Sequence, residues 1–334
     1  MRILIFSPWF PPSFGGVETV VQLLAAGLSL EHVVTVATTF PSNEPEAERP
    51  YTVLRRARLG ELLRAVRAAD VVLMFSASLR FIGLPLLLRK PLAVNHYTWP
   101  TWDTRPLITA LQWIARLGAI DVAPSEAVAC TYGRRTRVLP NPFDDHVFRE
   151  HAKGPRDRDL VFLGRLVEEK GVDLLLDALI FLRNSGRTPS LTLIGDGPAA
   201  PGLKARSEAL GIAAQIHFAG VKSGSELAGE LGRHRVMVVP SRWREPFGIV
   251  ALEGLASGCR LVIADDGGLP EAAGPTGILF ARGDASSLAK AIAKALNADD
   301  TFCDSAAIER HLDRYSIHKV ACAYTDFFRQ MLHT

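Results

Sequence analysis

Cysteine is scarce in this chain: Cys130, Cys259, Cys303 and Cys322 are the only four in 334 residues, far apart and without a CxxC pair. That spacing excludes a disulfide scaffold and a cysteine zinc site, and it fits a reducing, cytoplasmic setting. Long apolar runs are missing too. The first, ILIF, stops at SPWFPPS, well short of a secretory core. The most apolar window, LRFIGLPLLLRKPLAV, is interrupted by Arg80, Arg89 and Lys90 and is too short for a bilayer. The expectation is therefore a chain with neither a secretion signal nor a membrane span. Low-complexity tracts are absent, and 48% apolar with 22% charged residues describes a folded globular chain.

What is present exceeds one core. A length of 334 residues favours two domains, and an apolar rhythm runs through both halves. The pattern predicts strands at 2–7, 33–38, 51–56, 70–75, 92–95, 120–124 and 137–140, with helices at 16–30, 60–69, 106–118 and 125–132 among them. A polar stretch, 141–159, reads as a linker. The rhythm then restarts, with strands at 160–165, 190–195, 215–220, 235–241, 260–264 and 277–280. Helices fill 172–184, 202–210, 224–232, 249–257 and 285–297, and 305–333 is helical. The strands are nearly continuous apolar runs, the signature of parallel strands covered on both faces. The expected fold class is α/β, two doubly wound Rossmann-like domains facing a central cleft, with ligands at the carboxyl ends of the strands.

The loops that follow strands carry the unusual residues. Gly15 and Gly16 precede the first helix, where bare amides can approach an anion; a loop needing positive φ is the competing reading. Glu18, in the first helical turn, suits the helix dipole. His96 ends a strand, placed either to bond a reacting hydroxyl or phosphate or to serve as a satisfied structural residue. Arg165 and Lys170, the latter before Gly171, form a plausible diphosphate clamp, or two surface cations neutralised by Glu168 and Glu169. The run LIGDGPAA satisfies G-x-G-x-x-A, but the next strand, QIHFAG, has no carboxylate for a ribose, so a tight turn is the better reading.

The stretch SRWREPFGIVALEGLASG holds two acids eight residues apart. Glu245 precedes a helix whose first amides belong to Phe247, Gly248, Ile249 and Val250, and Glu253 lies about 7 Å further along its axis at ~1.5 Å per residue. Acids stacked along one element suit two hydroxyl-bearing groups better than a single bond flanked from both sides, which asks for about 5 Å and opposed carboxyls.

In this order, Gly15-Gly16, His96, Arg165, Lys170-Gly171, Glu245 and Glu253, followed by GGLPE, resemble the retaining glycosyltransferases of family 4, which have the GT-B fold. The resemblance covers about residues 1–330 and is strongest in the second domain. It implies an N-terminal acceptor-side domain, 1–145, a nucleotide-sugar domain, 146–315, and a last helix, 316–334, free to pack back toward the first. By similarity, Arg165 and Lys170 bind the donor diphosphate, Glu253 takes the ribose hydroxyls, and Glu245 lies by the donor sugar. Amides from Phe247 to Val250 hold sugar and phosphate, and the backbone at Val221 faces the base. Gly15 and Gly16 admit the phosphates, and His96 reaches the sugar near the reacting carbon. His96 and Glu245 are then the catalytic pair, with no metal and no cofactor.

The implied activity is hexosyl transfer from a nucleotide-diphosphate sugar to a hydroxyl on a glycan, lipid-linked or small-molecule acceptor, in bacterial cell-surface synthesis. A GT-B sugar-nucleotide 2-epimerase and a non-catalytic sugar-nucleotide binding protein are the competing classes. The chain departs from the family at Asn141-Pro142, where Asn-Gly is usual. Residues 51–137 carry 13 Lys and Arg against 5 Asp and Glu. That excess fits contact with an anionic membrane face or an ordinary solvated surface. No nucleic-acid reading motif accompanies it.

Overall fold

The protein is described from a computed structural model, which covers residues 1–13, 15–42, 46–76, 78–100, 118–133, 135–150, 155–298 and 304–333. The chain divides into two compact units, Met1–Phe143 with Arg314–Thr334, and Asp144–Asp313.

The first unit is built on a parallel seven-stranded sheet. Its strands are β1 (Arg2–Ser7), β2 (Val33–Thr38), β3 (Thr52–Arg55), β4 (Val71–Phe75), β5 (Leu92–Asn95), β6 (Ile120–Ala123) and β7 (Arg137–Val138), in spatial order β3-β2-β1-β4-β5-β6-β7. Helices α1 (Gly16–Leu28), α2 (Leu59–Ala68), α3 (Leu79–Leu87) and α4 (Glu126–Tyr132) make crossovers. All five residues of β4 are buried, as a central strand with two covered faces requires. One face packs Leu4, Phe6, Val72, Met74 and Val94 against Leu62 and Val66 of α2. The helix expected at 106–118 lies almost entirely outside the described residues.

The second unit opens with α5 (Asp145–Glu150), so the stretch read as linker contains a helix, capped by the Asp144 carboxylate, which accepts from the Val147 amide at 3.2 Å. Six parallel strands follow: β8 (Arg158–Leu163), β9 (Leu191–Ile194), β10 (Ile216–Gly220), β11 (His234–Val239), β12 (Arg260–Ala264) and β13 (Ile278–Phe280). Their order is β10-β9-β8-β11-β12-β13. Between them run α6 (Val172–Asn184), α7 (Ala200–Ala209), α8 (Gly224–Gly232), α9 (Ile249–Ala256), α10 (Leu269–Ala273) and α11 (Ala285–Asn297), and α12 (Ser305–Asp313) closes the unit.

The final helix, α13 (Ile317–His333), packs on α1 in the first unit. Gly27 of α1 makes that approach close, since a Cβ there would stand 2.8 Å from Ile317 Cγ2. Tyr324 of α13 is fully buried, and its hydroxyl accepts from Asn95 Nδ2 at 2.9 Å. Among the described residues no helix is long and apolar enough to cross a membrane.

Candidate functional site

In the second sheet β8 and β11 are neighbours, while the chain leaves them toward opposite edges. This reversal opens a crevice at the carboxyl ends of the two strands, where the backbone of open α/β sheets meets ligands. The loops that follow, 164–171 and 240–248, are fastened together there. The amides of Arg242 and Trp243 both donate to the Glu169 carbonyl, at 2.9 and 3.0 Å. Gly171 has φ of 69°, and a Cβ on it would lie 2.1 Å from the Pro240 carbonyl oxygen. Only glycine permits both the turn and the approach.

This seam brings together two residues 75 positions apart. Lys170 Nζ donates to Glu245 Oε1 at 2.5 Å, and the same oxygen accepts from Ser241 Oγ at 2.8 Å. The lysine and glutamate side chains are 25% and 13% exposed, so the pair is shielded but open to a ligand. From the other side, the Gly268 amide donates to the Glu245 carbonyl at 2.8 Å. A Cβ on Gly267 or Gly268 would stand 2.3 Å from the carbonyl oxygen of Glu245 or Pro246 respectively. The Glu245 backbone is thus clamped, and its carboxylate points to Lys170 and Ser241.

Helix α9 starts beside this pair. Gly248, at φ of 107°, turns the chain into it, and Phe247 is buried beneath at 2% exposure. The amides of Gly248, Ile249 and Val250 find no acceptor among the described residues, as the first turn of a helix dictates. They offer donors, with the positive end of the helix dipole, next to Lys170 and Glu245. Further along α9, burial first and the nearby Asp144 carboxylate second push Glu253 up to about 7. Its carboxyl has no hydrogen-bond or ion-pair partner among the described residues. Arg165 is exposed and forms no ion pair among those residues, and Val221, 61% exposed, follows edge strand β10.

Several sequence expectations change in detail. Glu168 and Glu169 leave Lys170 alone, and Glu245 takes that place. The sequence places Glu245 just before the α9 amides, and its carboxylate also engages Lys170 and Ser241. Gly15 lies at φ of 173°, which is extended, and Gly16 begins α1, so neither is a positive-φ position. The G-x-G-x-x-A run is a turn whose amides are already used: Gly195 donates to the Gly220 carbonyl at 2.8 Å and Ala199 to that of Leu166 at 2.9 Å. No pyrophosphate cradle is left there.

His96 belongs to the first unit, at the end of β5, and is 5% exposed. Its Nε2 donates to Asp121 Oδ1 at 2.7 Å, and its ring stacks on Tyr132, with centroids 3.8 Å apart and planes 15° from parallel. The aspartate fixes the tautomer and orientation of the imidazole. Sequence reasoning missed Asp121, Ser241 and Asp144. The signal for Asp121 was a carboxylate inside the apolar run IDVA, on the strand beside the histidine.

Among the described residues no three His, Cys, Asp or Glu side chains form a group that could hold a metal ion.

The two parallel α/β units define a GT-B protein, and solved structures with this architecture match along the whole chain. HepE of Anabaena, solved with UDP and glucose, has a TM-score of 0.77 at 18% identity, with 98% of this chain and 99% of that one covered. Sucrose-phosphate synthase of Thermosynechococcus elongatus has a TM-score of 0.76 at 19% identity, covering 99% of both chains. Residues 144–308, within the second unit, match the family model described as Glycosyl transferases group 1. Glycogen synthase of Mycobacterium tuberculosis is 35% identical over 177 residues, 52% of this chain and 41% of that protein. The sulfoquinovosyl transferase SQD2 of Arabidopsis thaliana is 26% identical over 232 residues, 61% of this chain and 44% of that one. The chain thus spans less than half the length of these curated relatives.

Proposed function

We propose that the protein is a retaining, metal-independent hexosyltransferase. It takes a sugar from a nucleotide-diphosphate donor and passes it to a hydroxyl acceptor in bacterial cell-surface glycan or glycolipid synthesis, on the cytoplasmic side. The observation that carries this reading is the arrangement at the carboxyl ends of β8 and β11. Lys170 and the free α9 amides offer positive charge, Glu245 stands beside them, and Glu253 is an unpartnered acceptor further along the helix.

The chemistry follows from those groups. A departing diphosphate gains one negative charge as its bond to the sugar breaks, and Lys170, Arg165 and the helix amides meet it without reorganising. Glu253 receives the two ribose hydroxyls, which replaces solvent around a carboxyl the protein leaves bare. Glu245 shares its carboxylate between Lys170 and the donor sugar, so it stabilises an oxocarbenium-like centre and couples sugar position to phosphate position. Leaving and attack occur on one face of the sugar, with the departing phosphate taking the acceptor proton, and His96 orients a sugar hydroxyl. Val221 flanks the base.

The test is thermal unfolding with a panel of UDP, GDP, ADP and TDP sugars. One donor should raise Tm by several degrees, as a ligand at about a hundred times its Kd adds about 2.7 kcal/mol. Transfer with that donor should then proceed within twofold of its rate in excess EDTA. Failure of every donor to stabilise the protein would sink the reading.

A further inference from the structure

Glu18 is unused by the donor chemistry, yet it is only 8% exposed. Its side chain folds back over the start of α1, where Oε2 lies 2.5 Å from the position a Cβ on Gly15 would take, so glycine there makes room for the carboxylate. Oε1 accepts from Ser13 Oγ at 2.7 Å, while Oε2 has no donor among the described residues. The hydroxyl of Tyr97 lies against the side chains of Ser76 and Trp9, within range of the Glu18 charge. Ser76 holds φ of 79°, a left-handed conformation that a residue with a side chain keeps only where its surroundings impose it. Trp9 leaves 47% of its surface exposed.

These residues come from the ends of β1, β4 and β5 and the start of α1. That is where the first sheet reverses between β1 and β4, the ligand-binding edge of such a sheet. Among the described residues this edge is acidic in its unsatisfied chemistry. Arg55, at the end of β3, is committed to Glu46 and to the carbonyls of Phe40 and Pro11. A buried carboxylate with one bare oxygen accepts neutral hydroxyl donors and repels a second anion. An exposed indole beside it offers a flat apolar face with a polar rim. Together they match a polyhydroxylated ring, apolar on one face and rich in donors at its edge.

We infer that this cluster is the acceptor subsite and that it takes a neutral sugar ring, with Glu18 Oε2 receiving a ring hydroxyl and Trp9 covering the ring's apolar face. The inference rests on the transferase reading above. It makes Glu18 a specificity residue, and it gives Gly15 the task of seating that carboxylate.

The experiment measures transfer by the full chain, with the donor that stabilises it, to two acceptor sets. One set holds the methyl and p-nitrophenyl glycosides of glucose, galactose and mannose; the other holds glucose 6-phosphate and glucuronic acid. At least one neutral glycoside should have kcat/KM tenfold or more above both anionic sugars. Glu18→Gln and Trp9→Ala should each raise its KM tenfold or more while the donor KM moves less than twofold. Trp9 is exposed, so its variant tests the site even where Glu18→Gln fails to fold. Equal or better use of the anionic sugars, turnover of no glycoside, or an unchanged glycoside KM in the folded variants overturns the assignment. Absence of any stabilising donor for the wild type overturns the transferase reading first, before an acceptor is added.

Discussion

Replacing Glu253 with glutamine should stabilise the ligand-free protein at high pH and leave it nearly unchanged at low pH. The carboxyl titrates near 4.5 in the unfolded chain and is pushed up to about 7 in the fold, by burial and then by Asp144. Below pH 4.5 it is neutral in both states and costs nothing. As pH rises from 4.5 through 7 the folded state holds a proton that the unfolded state has released, so stability falls across that window. Above pH 7 the folded protein carries a charge that its surroundings disfavour by about 3 kcal/mol, at ~1.4 kcal/mol for each factor of ten. Glutamine has nearly the same shape and no charge. Thermal unfolding at pH 5 and pH 8 should therefore show a variant close to wild type at the first and roughly 6–12 °C more stable at the second, taking about 2–4 °C per kcal/mol for a unit of this size. With nucleotide present the order should reverse, because ribose hydroxyls satisfy the ionised acid and gain less from an amide. A stability difference equal at both pH values would show that Glu253 ionises without penalty, and its role as an unpartnered acceptor would go with it.

Two other predictions concern the seam that builds the site. Gly171→Ala should cost more than 2 kcal/mol in chemical denaturation, since it adds a strained φ to a collision with the Pro240 carbonyl, whereas Gly186→Ala, at φ of 80° with open space around it, should cost about 1 kcal/mol. Lys170→Ala should weaken donor binding, while Glu245→Ala should lower kcat more than it raises the donor Kd; steady-state kinetics beside calorimetry separates the two, and intact turnover in Glu245→Ala would remove it from the chemistry.

The strand pattern was legible in the sequence because both sheets are parallel. Strands covered on two faces must be apolar throughout, and β1, β4, β9 and β12 read that way. The order of loop motifs was legible for a related reason: strand ends and helix starts must alternate, so Lys170 and Glu245 had to lie at the same edge of a sheet. Their contact was not, since a pair 75 residues apart is set by which strands are neighbours. From the sequence, the acids that could neutralise Lys170 are its local ones, Glu168 and Glu169, and Glu245 is not among them. Asp121 escaped for the same reason. A carboxylate in a buried strand looks like an anomaly until β6 is found beside β5, where it meets His96.

The glycines sharpen this point. Sequence reasoning weighed Gly15 and Gly16 for what a ligand could approach, and Gly171 only as the end of a cation loop. In the fold, Gly171 is glycine because Pro240 is there, and Gly15 because Glu18 is there. Each marks a place where one part of the chain needs another part of the same unit to come close. In the second unit that closeness aligns Lys170 with Glu245, and in the first it leaves Glu18 with one satisfied oxygen and one bare one. A glycine beside a charged residue in a strand-to-helix loop thus points first to the chain's own packing, and the ligand is read from the polar atoms that this packing leaves unpaired.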